Sequence, residues 1–356
     1  TASFTIHAPS KWKVIANGDL IEEPKVSAEN TIGPKESRRT WKWKSNVPIP
    51  TYNMVIGAAE MDITTLGVAN FAYSPSSPRS DGSIEVSNWT FSEDTEKSQP
   101  SFVRSIEMVN FFATKIGPYP YEKLANVQSS TRFGGMENAS AIFYSQEAIA
   151  KGQNIESTVS HEIAHQWFGD SVTEKEWYHL WLSEGFATYF GALFFEQSVG
   201  RDDFIERMEK SKNRIFQSKV IDRPIVDYKV SDLFKLLNSN NYPKGAWVLH
   251  MLRGLLGDEI FFKGISKYYS KYNNKTALTD DFMKTMEEVS GKNLQYFFDQ
   301  WIFSPGYPII EFEQNWIPKN NGKGKMIITI NQTQKKKWPT FIFESKICWD
   351  NNKCIP

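Results

Sequence analysis

Apolar and polar residues alternate over the first sixty-odd positions of the chain. Ser3-Phe4-Thr5-Ile6-His7, Trp12-Lys13-Val14-Ile15 and Trp41-Lys42-Trp43-Lys44 follow this pattern, with Pro9 and Asn17-Gly18 as turn residues between them. A period of two marks strands with one buried face. Tyr52 to Ala59 is an apolar run of strand length, and Tyr73 to Asp81, with Pro75, Pro78 and four serines, reads as loop or linker. From about residue 100 the period lengthens. Phe102, Ile106, Val109 and Phe112 recur at spacings of four, three and three, one face of a helix that Gly117-Pro118 ends. Helical patterns then dominate to about residue 303, as in Ile155 to Gly169, Glu184 to Val199, Asp203 to Phe216, Tyr242 to Leu256 and Phe282 to Val289. After Pro305-Gly306 and Pro308 the alternation returns, as in Met326 to Ile330, and the run Lys335-Lys336-Lys337 reads as a solvated edge. The order β, mainly α, β predicts an α+β chain. Its expected parts are a β segment (1–66), a central mainly helical unit (67–308) and a second β segment (309–356). The last part is short for an independent domain, which fits a segment of a longer chain.

Composition narrows the function. Of 356 residues, 40% are hydrophobic and 23% charged, as in ordinary globular proteins. Lys+Arg and Asp+Glu both number 41, a net charge of zero that gives no electrostatic basis for binding nucleic acid or an anionic membrane. The longest weakly polar run, Gly185 to Phe195, is far short of the roughly 20 residues that span a bilayer. Cys348 and Cys354 flank Asp350-Asn351-Asn352 and could face each other across a hairpin, as a disulfide or as two thiols. Sequons at Asn88, Asn138, Asn274 and Asn331 say little about secretion. The chain begins at Thr1 without a charged and apolar leader, as expected of a processed protein or an excised segment, and its compartment stays open.

The candidate chemistry centres on His161-Glu162-Ile163-Ala164-His165. On a helix, His161 and His165 project from one face a turn apart and can reach one metal ion, while Glu162 points aside and can take a proton from water. The same residues would also suit a helix with two buried histidines. Glu184, after an intervening 18 residues (166–183), opens the next predicted helix within Trp181-Leu182-Ser183-Glu184-Gly185-Phe186-Ala187. A chain reversal would return its carboxylate to the histidines, completing a zinc-type set with one position left open.

H-E-x-x-H, eighteen residues, then Glu within W-L-x-E-G-F-A resembles the gluzincin aminopeptidases, the family of aminopeptidase N and leukotriene hydrolase. Gly134-Gly135-Met136-Glu137-Asn138 is similar to that family's exopeptidase motif, and Tyr242-Pro243-Lys244-Gly245 to its Y-x-K-G. The likeness extends from Ala16-Asn17-Gly18 to Trp301. It implies a thermolysin-like zinc metallopeptidase catalytic domain flanked by partial β domains, acting on peptides with a free N-terminus. One Zn2+ ion per chain would be held by His161, His165 and Glu184. Glu162 would be the general base and proton shuttle, and Tyr242 would stabilise the oxyanion. Glu137 would bind the substrate ammonium. Gly134, Gly135 and Asn138 would bring the backbone close to substrate, and Met136 would border the first side-chain pocket. Thr188 is a candidate support for the ligands. Ser183 departs from the Asn usual at its position, and a segment that contributes to the amine site in longer members is missing. An endopeptidase or epoxide hydrolase of the same zinc class, or an impaired peptide-binding fragment, would be the alternatives. The Asn138 sequon overlaps the exopeptidase motif and reads as accidental.

Overall fold

The computed structural model describes residues 1–27, 37–71, 81–319, 324–343, 347–350 and 353–355. The expected linker Tyr73–Asp81 lies almost wholly outside them. The alternating segments form an N-terminal β layer. Strand Ala2–Pro9 pairs antiparallel with Arg38–Ser45, placing Phe4 opposite Trp43 and Ile6 opposite Trp41. Strand Lys13–Ala16 pairs with Ile56–Ala59, while Thr51–Asn53 is a short 3-10 turn rather than strand. Trp41, Trp43, Val14, Ile15 and Ala16 are buried in one cluster with Trp89, Ala125, Val127 and Ala141. The last four belong to a second sheet, so this layer is docked on the back of the central unit.

That second sheet has the order Gly135–Met136, Ala141–Ser145, Leu124–Ser129, Ser83–Thr90, Asp62–Asn70. The middle strands run parallel and the two edges antiparallel. The expected boundary at residue 66 falls inside strand Asp62–Asn70, because pairing with Ser83–Thr90 decides where the segment belongs. Strands also occur where helical patterning was expected to dominate. Leu124–Ser129 is buried at five of its six residues, so it carries no alternation.

The stripe Phe102 to Phe112 is helical but divided between helices Thr95–Phe102 and Ser105–Lys115. Behind the sheet lie helices Glu156–His165 and Trp181–Ser198, the second apolar almost all round, as a buried helix must be. Two glycines set its packing. A Cβ on Gly191 would lie 3.2 Å from the His161 amide nitrogen, and one on Gly185 would lie 3.0 Å from Gly245 Cα. Helix Gln146–Ala150 and helices Arg201–Phe216, Gly245–Leu256, Asp258–Tyr272, Thr279–Ser290 and Gln295–Trp301 are the other α-helices of the described residues.

Hairpin Ile310–Pro318 with Gly324–Gln332 follows. It is tethered by Trp338, whose Nε1 donates to Asp222 at 3.0 Å, and by Phe341 against Trp301. The lysine run is more than a solvated edge, since Lys335 and Lys337 both pair with Asp222, at 3.0 and 2.8 Å, and hold its carboxyl down to about 2. Strands Ile347–Asp350 and Lys353–Ile355 form the expected hairpin, with Cys348 opposite Cys354 in the backbone register. Among the described residues no helix is long and apolar enough to cross a membrane.

Candidate active site

Helix Glu156–His165 places His161 and His165 one turn apart with their Nε2 atoms 3.0 Å from each other. The segment after it reverses through Gly169, whose φ of 118° suits glycine, and through strand Val172–Glu174, paired with Lys275–Ala277. Helix Trp181–Ser198 then carries Glu184 in its first turn. Glu184 Oε2 lies 3.3 Å from His161 Nε2 and 3.2 Å from His165 Nε2. The three predicted ligands are therefore together.

These distances describe donor atoms aimed at a common point rather than at each other. Glu184 Oε2 is buried and receives no well-directed hydrogen bond, although both imidazole nitrogens are near it. Zinc ligands about 2.0–2.1 Å from the ion stand roughly 3.3 Å apart in a tetrahedron, close to the separations here. His165 Nδ1 is 3.0 Å from the Phe168 carbonyl, which can only accept, so Nδ1 carries the proton and Nε2 presents its lone pair. Ser183 Oγ sits 3.1 Å from the same Nδ1, so the residue that departs from the expected pattern touches the His165 ring directly.

The electrostatics also call for a cation. Burial would raise the Glu184 carboxyl, yet His165 and His161 hold it well below the usual carboxylate range. Burial pushes Glu162 far up, with Glu137 and Glu184 adding to the effect against His165. Burial also pushes Glu137 up. For His165 burial is overridden by the surrounding carboxylates, and its pKa rises well above the ordinary imidazole value. The residues fit a divalent ion with nitrogen and carboxylate ligands, and zinc is the usual occupant of such a set.

Glu162 is buried beneath the edge strand Gly135–Met136. A Cβ on Gly135 would come within 2.4 Å of Glu162 Oε1, so any larger residue there would displace the Glu162 carboxylate. A Cβ on Gly134 would meet nothing within 4 Å, so the tight packing against Glu162 belongs to Gly135. Glu137 brings a carboxylate oxygen within 4.8 Å of Glu162 and His165. Met136 is half-buried beside it. Asn138, which closes the motif through a turn from its amide to the Met136 carbonyl, is 5% exposed, a position no glycan could occupy. Thr188 lines a cavity beside His161.

Tyr242 stands in a single wide turn, Asn240–Lys244, that leads into helix Gly245–Leu256. Such π-type turns recur at functional sites. Its hydroxyl donates to Glu184 Oε1 at 2.5 Å, and its ring stacks on His161 at 6.1 Å between centroids. Burial and then Glu184 raise its pKa far above the ordinary phenol value, so it remains a donor.

Other site residues escaped the sequence reading. Gln166 Nε2 donates to the Glu137 carbonyl at 2.9 Å and to Asp170 Oδ2 at 2.8 Å, and its Oε1 accepts from Ser140 N at 2.8 Å. It clamps the Glu137 strand to the ligand helix. Asn53 donates to Asp170 Oδ1 at 2.5 Å, Asn17 donates to the Ala139 carbonyl at 2.6 Å, and Tyr52 donates to the Gly169 carbonyl at 3.1 Å. The N-terminal β layer thus reaches the site. The sequence signals were the position of Gln166, next to His165, and of Asn17 in the turn Ala16-Asn17-Gly18.

Glu174 lies buried in the segment between His165 and Glu184, with both carboxylate oxygens lacking a hydrogen-bond partner, and burial pushes it up to about 8. Between its ordinary value near 4.5 and about 8, the folded chain keeps a proton that the unfolded chain has released. Stability therefore falls as pH rises through that window. Glu174→Gln removes this slope and is expected to stabilise the protein at pH 8 relative to pH 5 by about 3 kcal/mol. Denaturant unfolding of both proteins at the two pH values checks this, and parallel pH profiles would refute it.

The model of the peptidase family M1 domain matches residues 102–301, more than half of the chain. The chain belongs to peptidase family M1. Aminopeptidase M1-C of Oryza sativa subsp. japonica is 33% identical over 290 residues, covering 73% of this chain and 33% of the rice protein. Tricorn protease-interacting factor F2 of Thermoplasma acidophilum is 31% identical over 306 residues, covering 78% of this chain and 38% of that protein. This M1 chain thus spans about a third of the length of these curated relatives. The crystal structure of an M1 zinc metallopeptidase from Deinococcus radiodurans superposes with a TM-score of 0.71 at 20% identity, over 86% of this chain and 64% of that one. That likeness establishes the α+β fold of the M1 chain.

Proposed function

We propose that the chain is the catalytic part of a zinc-dependent aminopeptidase, with one zinc ion held by His161, His165 and Glu184. The observation that carries this reading is the convergence of those three donor atoms beside Glu162 and Glu137. Zinc in that place supplies Lewis acidity toward a peptide carbonyl and a water molecule. The other steps are assigned to the chain's own residues. Glu162, its basicity raised by burial, takes the proton from the attacking water and delivers it to the leaving amine. Tyr242 gives its hydroxyl proton in a hydrogen bond to the developing oxyanion instead of to Glu184.

Glu137 binds the ammonium group of the first residue. The strand Gly134–Asn138 supplies the backbone along which that residue lies, with Met136 beside its side chain. This arrangement favours an exopeptidase over an endopeptidase. A peptide without a free amine leaves the Glu137 carboxylate buried and unpaired, and such loss is strongly discriminating. Zinc-loaded protein is expected to hydrolyse alanyl and leucyl p-nitroanilides and to cleave their N-acetylated forms at least about 100-fold more slowly in kcat/KM. Equal rates on free and acetylated substrates would reject the aminopeptidase reading.

A further inference from the structure

On the side of His161 and Tyr242 the site opens into a cavity of about 350 Å³. Glu137 does not line it. A peptide whose amine rests at Glu137 and whose first carbonyl rests at the three donor atoms therefore continues past Tyr242 into this cavity with its leaving part. One wall is helix Arg201–Phe216, which contributes Arg207, Lys210 and Arg214. Spacings of three and four put these cations on one helical face. The acids of that helix, Asp202, Asp203, Glu206 and Glu209, do not line the cavity.

The three cations differ in availability. Arg207 is engaged, donating to Asp203 at 2.5 Å and to Ser157 Oγ at 2.7 Å, with its guanidinium 3.6 Å from the centre of the Phe195 ring. Lys210 pairs with Glu206 at 2.5 Å, but its side chain is 71% exposed, and exposed pairs of this kind are weak. Arg214 is exposed and makes no ion pair among the described residues. The site is thus bipolar, with carboxylates where the amine binds and, beyond the cleaved bond, the weakly paired Lys210 and the exposed Arg214. The two ends complement a peptide whose amine and carboxylate lie a few residues apart.

We propose that Lys210 and Arg214 make this cavity selective for peptides with a carboxylate within two residues after the cleaved bond. That carboxylate is either an acidic side chain or the C-terminus of a short peptide. The inference rests on the aminopeptidase reading. It is tested with zinc-loaded protein on two matched pairs, Ala-Glu-Ala-amide against Ala-Gln-Ala-amide, and Ala-Ala-Ala against its C-terminal amide. At low salt the carboxylate member of at least one pair is expected to have about fivefold higher kcat/KM. The pair that shows it identifies the source of the carboxylate.

The preference is expected to shrink toward unity in about 0.5 M salt and in the double variant Lys210→Gln/Arg214→Gln. Calorimetric Kd values measured on Glu162→Gln protein are expected to follow the same order. Turnover of the neutral peptides without any preference in either pair would overturn the inference and leave the aminopeptidase reading intact. Absence of turnover on every peptide would overturn both.

Discussion

Glu162→Gln is expected to lower kcat/KM for an aminoacyl anilide by about 10²–10⁴-fold, the range of a lost general base. The side chain is nearly isosteric and sits in a preformed slot under Gly135, so folding and zinc content should hardly change. The loss should fall mainly on kcat, because the amide still fills the space between the strand and the ligand helix while it can no longer accept a proton. Neutralising a buried carboxyl that burial already penalises should leave thermal stability equal or slightly higher. Steady-state kinetics and metal analysis of the variant check both parts. A variant retaining more than about a tenth of wild-type kcat would remove Glu162 from the chemistry.

The second large effect is expected from the ligands. His165→Ala removes one of three converging donors and the imidazole that meets the Phe168 carbonyl and Ser183. Glu184→Ala removes the carboxylate that Tyr242 and both histidines face. Each is expected to lower zinc occupancy to a small fraction of one per chain after dialysis and to abolish measurable turnover, since a site built for four ligands binds poorly with two protein donors. Ser183→Ala is a milder comparison, because the Phe168 carbonyl still fixes the His165 tautomer. Loss of a supporting partner of this kind commonly weakens metal affinity by about tenfold or more. Inductively coupled plasma analysis of the dialysed variants distinguishes these cases. Full zinc occupancy in Glu184→Ala would show that the third donor is another residue.

Much of this site could be read in the sequence for a physical reason. The proposed metal ligands occupy a window of 24 residues, 161–184, and helical geometry alone brings His161 to His165. The return of Glu184 needed only one reversal between two recognisable helices. Tyr242 and the Gly134–Asn138 motif were placed by resemblance, and their convergence depends on tertiary packing. The interactions that hold them in place are long-range and carry no periodic signal. Asn17 reaches Ala139 across 122 residues, and Asn53 reaches Asp170 across 117.

The fold divides in the same way. One-sided elements such as Ala2–Pro9 and Arg38–Ser45 show their period. Leu124–Ser129 lies inside a sheet covered on both faces and shows none, so a region that patterning assigned to helices contains the central parallel strands. Helix Trp181–Ser198 began three residues earlier than expected because Trp181, Leu182 and Ser183 are all buried and continue its apolar surface.

His161, His165 and Glu184 are proposed to share one zinc ion beside Glu162. Anomalous diffraction from zinc-soaked crystals, recorded above and below the zinc absorption edge, locates that ion. The expected result is a single strong peak about 2.0–2.1 Å from both Nε2 atoms and from a Glu184 carboxylate oxygen. A peak elsewhere, or none at saturating zinc, would contradict it.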